Sequence, residues 1–573
     1  MRGHLGAFVL GAASLLAIGS VAAAATGSVT YMNQGKAWTA TTRADFYSRD
    51  QGSRLIPLAW LKALKTPAGE PFLADGLARY GYLPNPAGHN NLPVGFFAAP
   101  YQGRQFAAMN CSACHTRQIS VAGTEYRIDG GPAFTDFQAL LTDLDTALGA
   151  VLESDSAFAP FAAQVLGPGA PVSKVAALKK EVSDWHLREH TLVVQALQSV
   201  DWGLGRLDAV SMIYNRLVGM DIGGPPTYLI PNNIAPANAP VRYPFLWNAP
   251  KQDRTQWPGF SANGDDLFGL TRNLGQVYGV FGIFRPARQG DHVDFLTGNS
   301  AQFGGLDRIE HLVRKIGPPR WSWAIDARLA DQGRQIYERK WQEGGCAECH
   351  GKRPGAIRLA PPSTTWATPL CDVGTDTREY GILHRQAATG VLQGAKSPIG
   401  APLGTDADTF QLLAVSVIGS IFQHAFGFSI FKYEGAATTA SLSKPKKVAA
   451  NELLAAYAPP PPQGCGKTGG PYKYESRVMH GIWAAAPYLH NGSVATLADL
   501  LKPAAQRQAS FAVGRYYDIS AVGLAAFQPG SHYVRITTGC DALDSGNSRC
   551  GHEYGTSLSA AEKQALLEYL KGL

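Results

Sequence analysis

Apolar residues along this chain recur mostly every three to four positions, the period of an α-helix with one buried face. Over residues 134–151, Phe137, Leu140, Leu141, Leu144 and Leu148 share such a face, which predicts a long helix opened by the turn Ile128-Asp129-Gly130-Gly131-Pro132-Ala133. Related patterns predict helices over 172–217 (including Val193-Val194-Gln195-Ala196-Leu197), 266–284, 309–316 and 330–340, and a short one in Ile56-Pro57-Leu58-Ala59-Trp60-Leu61-Lys62-Ala63-Leu64. Residues 409–426 are apolar almost throughout. Near the end, Ser559 with Glu562 three positions on is a capping box that starts a final helix. Loops rich in Gly, Pro and Asn separate these segments at 83–93 and 223–240, and 459–462 is a stiff Pro-rich connection. Pro318-Pro319 marks a boundary, so the expected fold is mainly α, with long loops and little β, in two units over residues 26–320 and 321–573.

Composition fits this picture. A chain of 573 residues exceeds the roughly 100–200 that one core serves, and 45% hydrophobic content against 17% charged supplies ample core. The formal charge of +7 is modest for this length and gives no reason to expect a nucleic-acid partner. Arg2 and His4 precede an apolar run over residues 5–21, and Ala22-Ala23-Ala24-Ala25 offers a cleavage site, so residues 1–25 read as an export signal. The later sequence suggests no membrane span, and a periplasmic or secreted protein is expected.

Cysteine spacing adds the chemistry. Cys111-Ser112-Ala113-Cys114-His115 and Cys346-Ala347-Glu348-Cys349-His350 both have the C-x-x-C-H spacing of covalent c-type haem attachment. On a helical turn the two thiols share a face and reach both haem vinyl groups, while the histidine beside them supplies an axial nitrogen to iron. With 8 Cys and 14 His in the chain, random placement predicts only about 0.003 such matches. Two covalently bound haem c groups are therefore expected, held by Cys111, Cys114, Cys346 and Cys349, with His115 and His350 on the irons, one in each cytochrome c-like unit. Four cysteines remain. Cys540 and Cys550 flank a short loop and suggest one disulfide, leaving Cys371 with Cys465; other pairings stay open.

Several stretches then resemble a known group of enzymes. Gly481-Ile482-Trp483-Ala484-Ala485-Ala486-Pro487-Tyr488-Leu489-His490-Asn491-Gly492-Ser493, after Tyr472-Lys473-Tyr474, resembles the region after the second haem in the bacterial di-haem cytochrome c peroxidase and MauG superfamily. The likeness is greatest to the RoxA-like branch, which holds the rubber oxygenase and the di-haem fatty-acid dioxygenases. Gln51-Gly52-Ser53-Arg54-Leu55-Ile56-Pro57, the Ile128 turn and Gly551-His552-Glu553-Tyr554-Gly555 are similar to that branch as well.

The resemblance implies a division of labour in which the N-terminal haem meets the oxidant and the other is six-coordinate. A Met-ligated second haem fits poorly, because Met479 is the only methionine beyond Cys349 and it precedes the His490 motif instead of following it. His552 is the first candidate for the sixth ligand, giving a bis-His iron, and His490 is its rival. The peroxidase segment carrying a distal glutamate corresponds loosely to residues 247–281, which contain no Glu; Asp265 and Asp266 are the nearest acids and suit a helix N-terminus equally well. The aromatic residues Phe245, Trp247, Phe260 and Phe268 would line an apolar oxidant pocket. Trp247 also matches a tryptophan between the haems, with Trp257 next. Arg272 and Asn273 are candidates for a haem propionate or an inter-haem calcium ion. The leading expectation is an oxygenase using O2 on an unsaturated hydrocarbon or fatty acid. The alternatives are a peroxidase reducing H2O2 with electrons from a small cytochrome, and a non-catalytic di-haem electron carrier.

Overall fold

The structure is a computed structural model that describes residues 29–355, 364–397, 400–433 and 470–573. The expected export signal over residues 1–25, the Pro-rich connection at 459–462 and Cys465 lie outside the described residues.

The expectation of a mainly α protein with little β is corrected. The described residues are 37% helical and 16% strand, with many small sheets, and two cytochrome c-like units do not describe them clearly. The physical reason is plain around the first pentapeptide. Phe96–Tyr101 pairs with Arg104–Met109, and Thr116–Val121 with Thr124–Asp129, as two antiparallel hairpins. The second turns at Ala122-Gly123, both at positive φ, the two-residue turn whose twist matches paired strands. Cys111–Cys114 is thus a single helical turn set between hairpins. Strands of two to six residues are too short for an alternating pattern to stand out beside the longer helical ones.

The predicted helices form with shifted limits. Phe137–Leu152 starts one residue after Asp136, whose side chain accepts from the Ala139 N–H at 2.9 Å. The pattern over 172–217 divides into Val172–Leu192 and shorter turns up to 221, and the others appear as Asp266–Gly279, Phe303–Val313 and Ala327–Tyr337. The Ser559–Glu562 capping box opens Ala560–Gly572.

Three large cores organise these elements. One joins Trp60, Phe137, Leu144 and Trp202. A second joins Phe245, Trp247 and Ile309 to Ile336, Trp483 and Leu566. The third surrounds Thr409–Phe426, the one described helix long and apolar enough to cross a membrane. Most of that helix is buried in the protein, and the hydroxyl of its Ser420 bonds the Ser416 carbonyl at 2.8 Å. Ala327–Tyr337, which leads into the second pentapeptide, crosses Ala560–Gly572 at Gly333. A Cβ there would lie 1.9 Å from the Ala565 carbonyl oxygen. Only glycine permits that approach.

Candidate haem centres

Cys346, Cys349 and His350 line a cavity, partly open to solvent, walled by Ile482, Leu497, Leu501, Leu566 and Leu570. Its largely apolar wall suits a large apolar ring. His350 Nδ1 lies 2.7 Å from the Arg477 carbonyl. A carbonyl can only accept, so Nδ1 carries the proton and Nε2 keeps its lone pair, the arrangement that prepares a metal-binding imidazole. Burial holds the His350 pKa below its ordinary value, which keeps that lone pair free.

His552 faces His350 across the cavity, ring centroids 6.1 Å apart and planes at 45°. Imidazole nitrogens bind first-row metals at roughly 2.0–2.1 Å, and each nitrogen sits about 1.1 Å from its ring centre, so two rings placed to share one metal ion would stand ~6.3 Å apart. The observed separation fits that arrangement. The loop carrying His552 is fixed by several devices. Cys540–Cys550 closes it with a disulfide. Gly551 takes φ +76° against Gly374, where a Cβ would come within 2.3 Å of backbone. The His552 N–H bonds the Val373 carbonyl at 2.8 Å, and Arg507 donates to the Gly551 and His552 carbonyls at 2.7 and 3.2 Å. Burial first, then the nearby His350 and Arg507, push the His552 pKa down to about 3. Arg242, on the cavity wall, has a buried Nη1 with no protein partner, a cation that suits a propionate.

Met479 and His490 line the same cavity. His490 is 5% exposed and stacks flat on Tyr474 at 3.9 Å. Burial takes its pKa down to about 3.

The first pentapeptide is shaped from both flanks. Asn110 caps its turn, accepting from the Ser112 N–H at 3.0 Å and donating to the Phe46 carbonyl at 2.9 Å. Cys111 Sγ donates to Gln51 Oε1 at 3.3 Å, which ties in the Gln51-Gly52-Ser53 segment. The His115 ring stands 5.9 Å from Tyr243, its buried Nδ1 has no hydrogen-bond partner, and burial lowers its pKa to about 4. All four pentapeptide thiols are unbridged, and burial raises Cys111 to about 11 and Cys114 and Cys346 to about 12. They are held as neutral thiols. Cys371 is disulfide-bonded, while its predicted link to Cys465 falls outside the described residues.

A single stretch, Tyr243-Pro244-Phe245-Leu246-Trp247, touches both centres. The Pro244 backbone lies beside the His115 ring. Phe245 lines the His350 cavity, lies 4.2 Å beneath the Arg477 guanidinium and stacks on Trp247 at 4.8 Å and 13°. Trp247 is fully buried and donates to the His480 carbonyl at 2.8 Å. Trp257 is another cavity wall residue. Phe260 lies elsewhere, edge-on to Phe410 at 6.0 Å in the third core, and Phe268 packs with Ala262. The four aromatic residues do not gather into one pocket. Asp265 is the helix N-cap, accepting from the Phe268 N–H at 2.7 Å, and Asp266 pairs with Arg314 at 2.6 Å.

Arg272 is already engaged by Asn263, Asn273 and Glu310. Glu310, 3% exposed, is the acid that the sequence reading passed over; both it and Arg272 influence the Cys111 thiol electrostatically. It sits in Phe303–Val313 among Leu306, Ile309 and Val313 on the buried stripe. A lone carboxylate at an apolar position was the signal that could have found it. Arg477 and Arg507 carried no such mark: Arg477 reaches His350 through its own backbone carbonyl, and Arg507 reaches His552 through backbone carbonyls.

Residues 473–512 match the family described as RoxA-like, cytochrome c-like. That segment walls the His350 cavity with Arg477, Met479, Ile482, His490 and Leu497. The chain is 28% identical to the uncharacterised protein y4iJ of Sinorhizobium fredii strain NBRC 101917 / NGR234, over 95% of this chain and 93% of that protein. It is 25% identical to y4iM, an uncharacterised protein of the same strain, over 49% of this chain and 48% of that one. Residues 473–512 are thus similar to a RoxA-like, cytochrome c-like domain, a likeness that supports haem c as the cofactor.

Proposed function

We propose that the protein is an exported di-haem c-type cytochrome oxidoreductase, a RoxA-like oxygenase of the periplasm or extracellular space. Its haems are carried by residues 26–320 and 321–573, O2 is the oxidant at the N-terminal centre, and the substrate is an unsaturated hydrocarbon or fatty acid that is oxidised or cleaved. The observation that carries this reading is the opposition of His350 and His552 at 6.1 Å. Were His350 and His552 to hold one haem iron together, the oxidant would be left to the centre at His115, and their opposition supports the reading in that way. When bound, haem supplies an iron able to take up and reduce the oxidant.

The protein's own residues then have defined tasks. His115 is kept neutral by burial, so its ring can serve as a ligand at ordinary pH. Phe245 and Trp247 keep water from the space between the centres and pack them at a fixed separation. Arg477 positions His350 through its carbonyl and covers Phe245 with its guanidinium. The test is oxygen uptake with oleate or a polyisoprene latex, set beside H2O2 turnover with reduced cytochrome c. O2 consumption dependent on the apolar substrate supports the oxygenase; peroxide turnover alone rejects it.

One observation favours the second reading, a di-haem peroxidase fed by a small cytochrome. A peroxidase needs a group that moves a proton between the peroxide oxygens, and Glu310 is a buried carboxylate near Cys111. On that reading Glu310→Gln lowers peroxide turnover by about 10²–10⁴-fold. On the oxygenase reading it leaves O2 uptake within a small factor of the parent rate.

A further inference from the structure

Away from both haem centres, His186 and His190 stand one turn apart on Val172–Leu192 and face Asp145 on Phe137–Leu152. His186 Nε2 lies 3.1 Å from Asp145 Oδ1, and His190 Nδ1 lies 3.0 Å from Oδ2. The three ligand atoms fall within 4.8 Å of one another. We propose that Asp145, His186 and His190 form a third metal site, which takes a divalent transition ion of the zinc or copper class and clamps the two helices together.

The chemistry and spacing both suit such an ion. Two imidazoles and one carboxylate are ligands that zinc and copper accept, whereas calcium and magnesium prefer oxygen alone. Histidines four apart on a helix present their nitrogens to one point. In a tetrahedral site with bonds of roughly 2.0–2.1 Å, neighbouring ligand atoms lie about 3.3–3.5 Å apart. The two carboxylate–imidazole distances are already close to that. The remaining adjustment is a side-chain rotation of His190, which is 52% exposed and free to make it.

The neighbouring groups leave this triad undisturbed. Glu189, between the histidines in sequence, is drawn to Arg216 at 3.5 Å and is not a fourth ligand. Asp145 has 10% side-chain exposure, and the two imidazoles bonded to it hold its carboxyl below the ordinary carboxylate range against the opposing effect of burial. Leu187 follows His186 where the H-E-x-x-H metalloprotease pattern has its glutamate base. The inference is therefore a structural ion with a coordination position left for water, and no hydrolytic activity.

The experiment uses the haem-loaded protein after chelator treatment and dialysis. Calorimetric titration with Zn(II) should give one equivalent bound, and His186→Ala and His190→Ala should each weaken it at least about tenfold, with both haem absorption spectra unchanged. Titration with ⁶³Cu(II) should give an EPR signal split by two nitrogens, lost in the same variants. Failure of the parent protein to bind zinc, or equal affinity in either variant, overturns the assignment.

Discussion

The crossing of Ala327–Tyr337 over Ala560–Gly572 supports the second haem centre, and Gly333→Ala tests it with opposed contributions. Helix propensity alone favours alanine by about 0.8–1.0 kcal/mol. The crossing opposes it: the new methyl would sit 1.9 Å from the Ala565 oxygen and 2.6 Å from its carbonyl carbon, and real Cβ contacts do not fall below 3.0 Å. The helices must separate by at least 1.1 Å, from 1.9 to 3.0 Å. Two of the three obstructing atoms are backbone, and the third, Tyr569 Cβ at 2.8 Å, is bonded directly to backbone, so none can rotate away. Overpacking of this kind costs roughly 1–3 kcal/mol, and separation loosens the buried Ile336, Leu566 and Leu570 as well. Subtracting the propensity gain leaves a loss of up to about 2 kcal/mol, to which the loosened core side chains add. It should be read as a lower guanidinium midpoint by circular dichroism, with the haem absorption band broadening in the same transition because the helix leads directly to Cys346. An equal or higher midpoint would refute the close crossing.

Replacing both Cys540 and Cys550 with serine opens the loop that holds His552; about 2–4 kcal/mol of stability should be lost, and a high-spin haem fraction should appear in the absorption spectrum. Trp247→Phe removes the bond to the His480 carbonyl and leaves a void, lowering stability by ~2–3 kcal/mol in denaturant titration and slowing electron exchange between the haems in stopped-flow reduction. For His490 the folded pKa of about 3 lies below the ordinary 6.5. Between those values the unfolded chain binds the extra proton, so the histidine's contribution is complete above pH 6.5 and is lost as pH falls towards 3. Guanidinium midpoints measured from pH 7 to 4 should fall more steeply in the parent than in His490→Gln.

How much of this was written in the sequence depends on distance along the chain. The pentapeptides are local, five residues whose spacing alone carries the attachment chemistry, and the long helices such as Phe137–Leu152 announce themselves by periodicity. Hairpins of six-residue strands did not, because Ala98 and Ala107 are too small to set up a contrasting alternation. The pairing of His350 with His552 joins residues about 200 apart and could be named only through resemblance to the RoxA-like branch. Arg477 is a clearer limit: it acts on His350 through its backbone carbonyl, a group that every residue possesses. Phe260 shows the converse. It lies in an aromatic-rich segment, but the flanking strands at 254–255 and 261–262 carry it into the core of Thr409–Phe426, away from Phe245.

The account depends most on His350 and His552 sharing one iron. Low-temperature EPR of the haem-loaded protein, parent beside His552→Ala, measures this directly. The prediction is a low-spin bis-imidazole signal in the parent that disappears in the variant and is replaced by a high-spin signal, with the His115 haem unaltered. A low-spin signal that survives the substitution unchanged would contradict it.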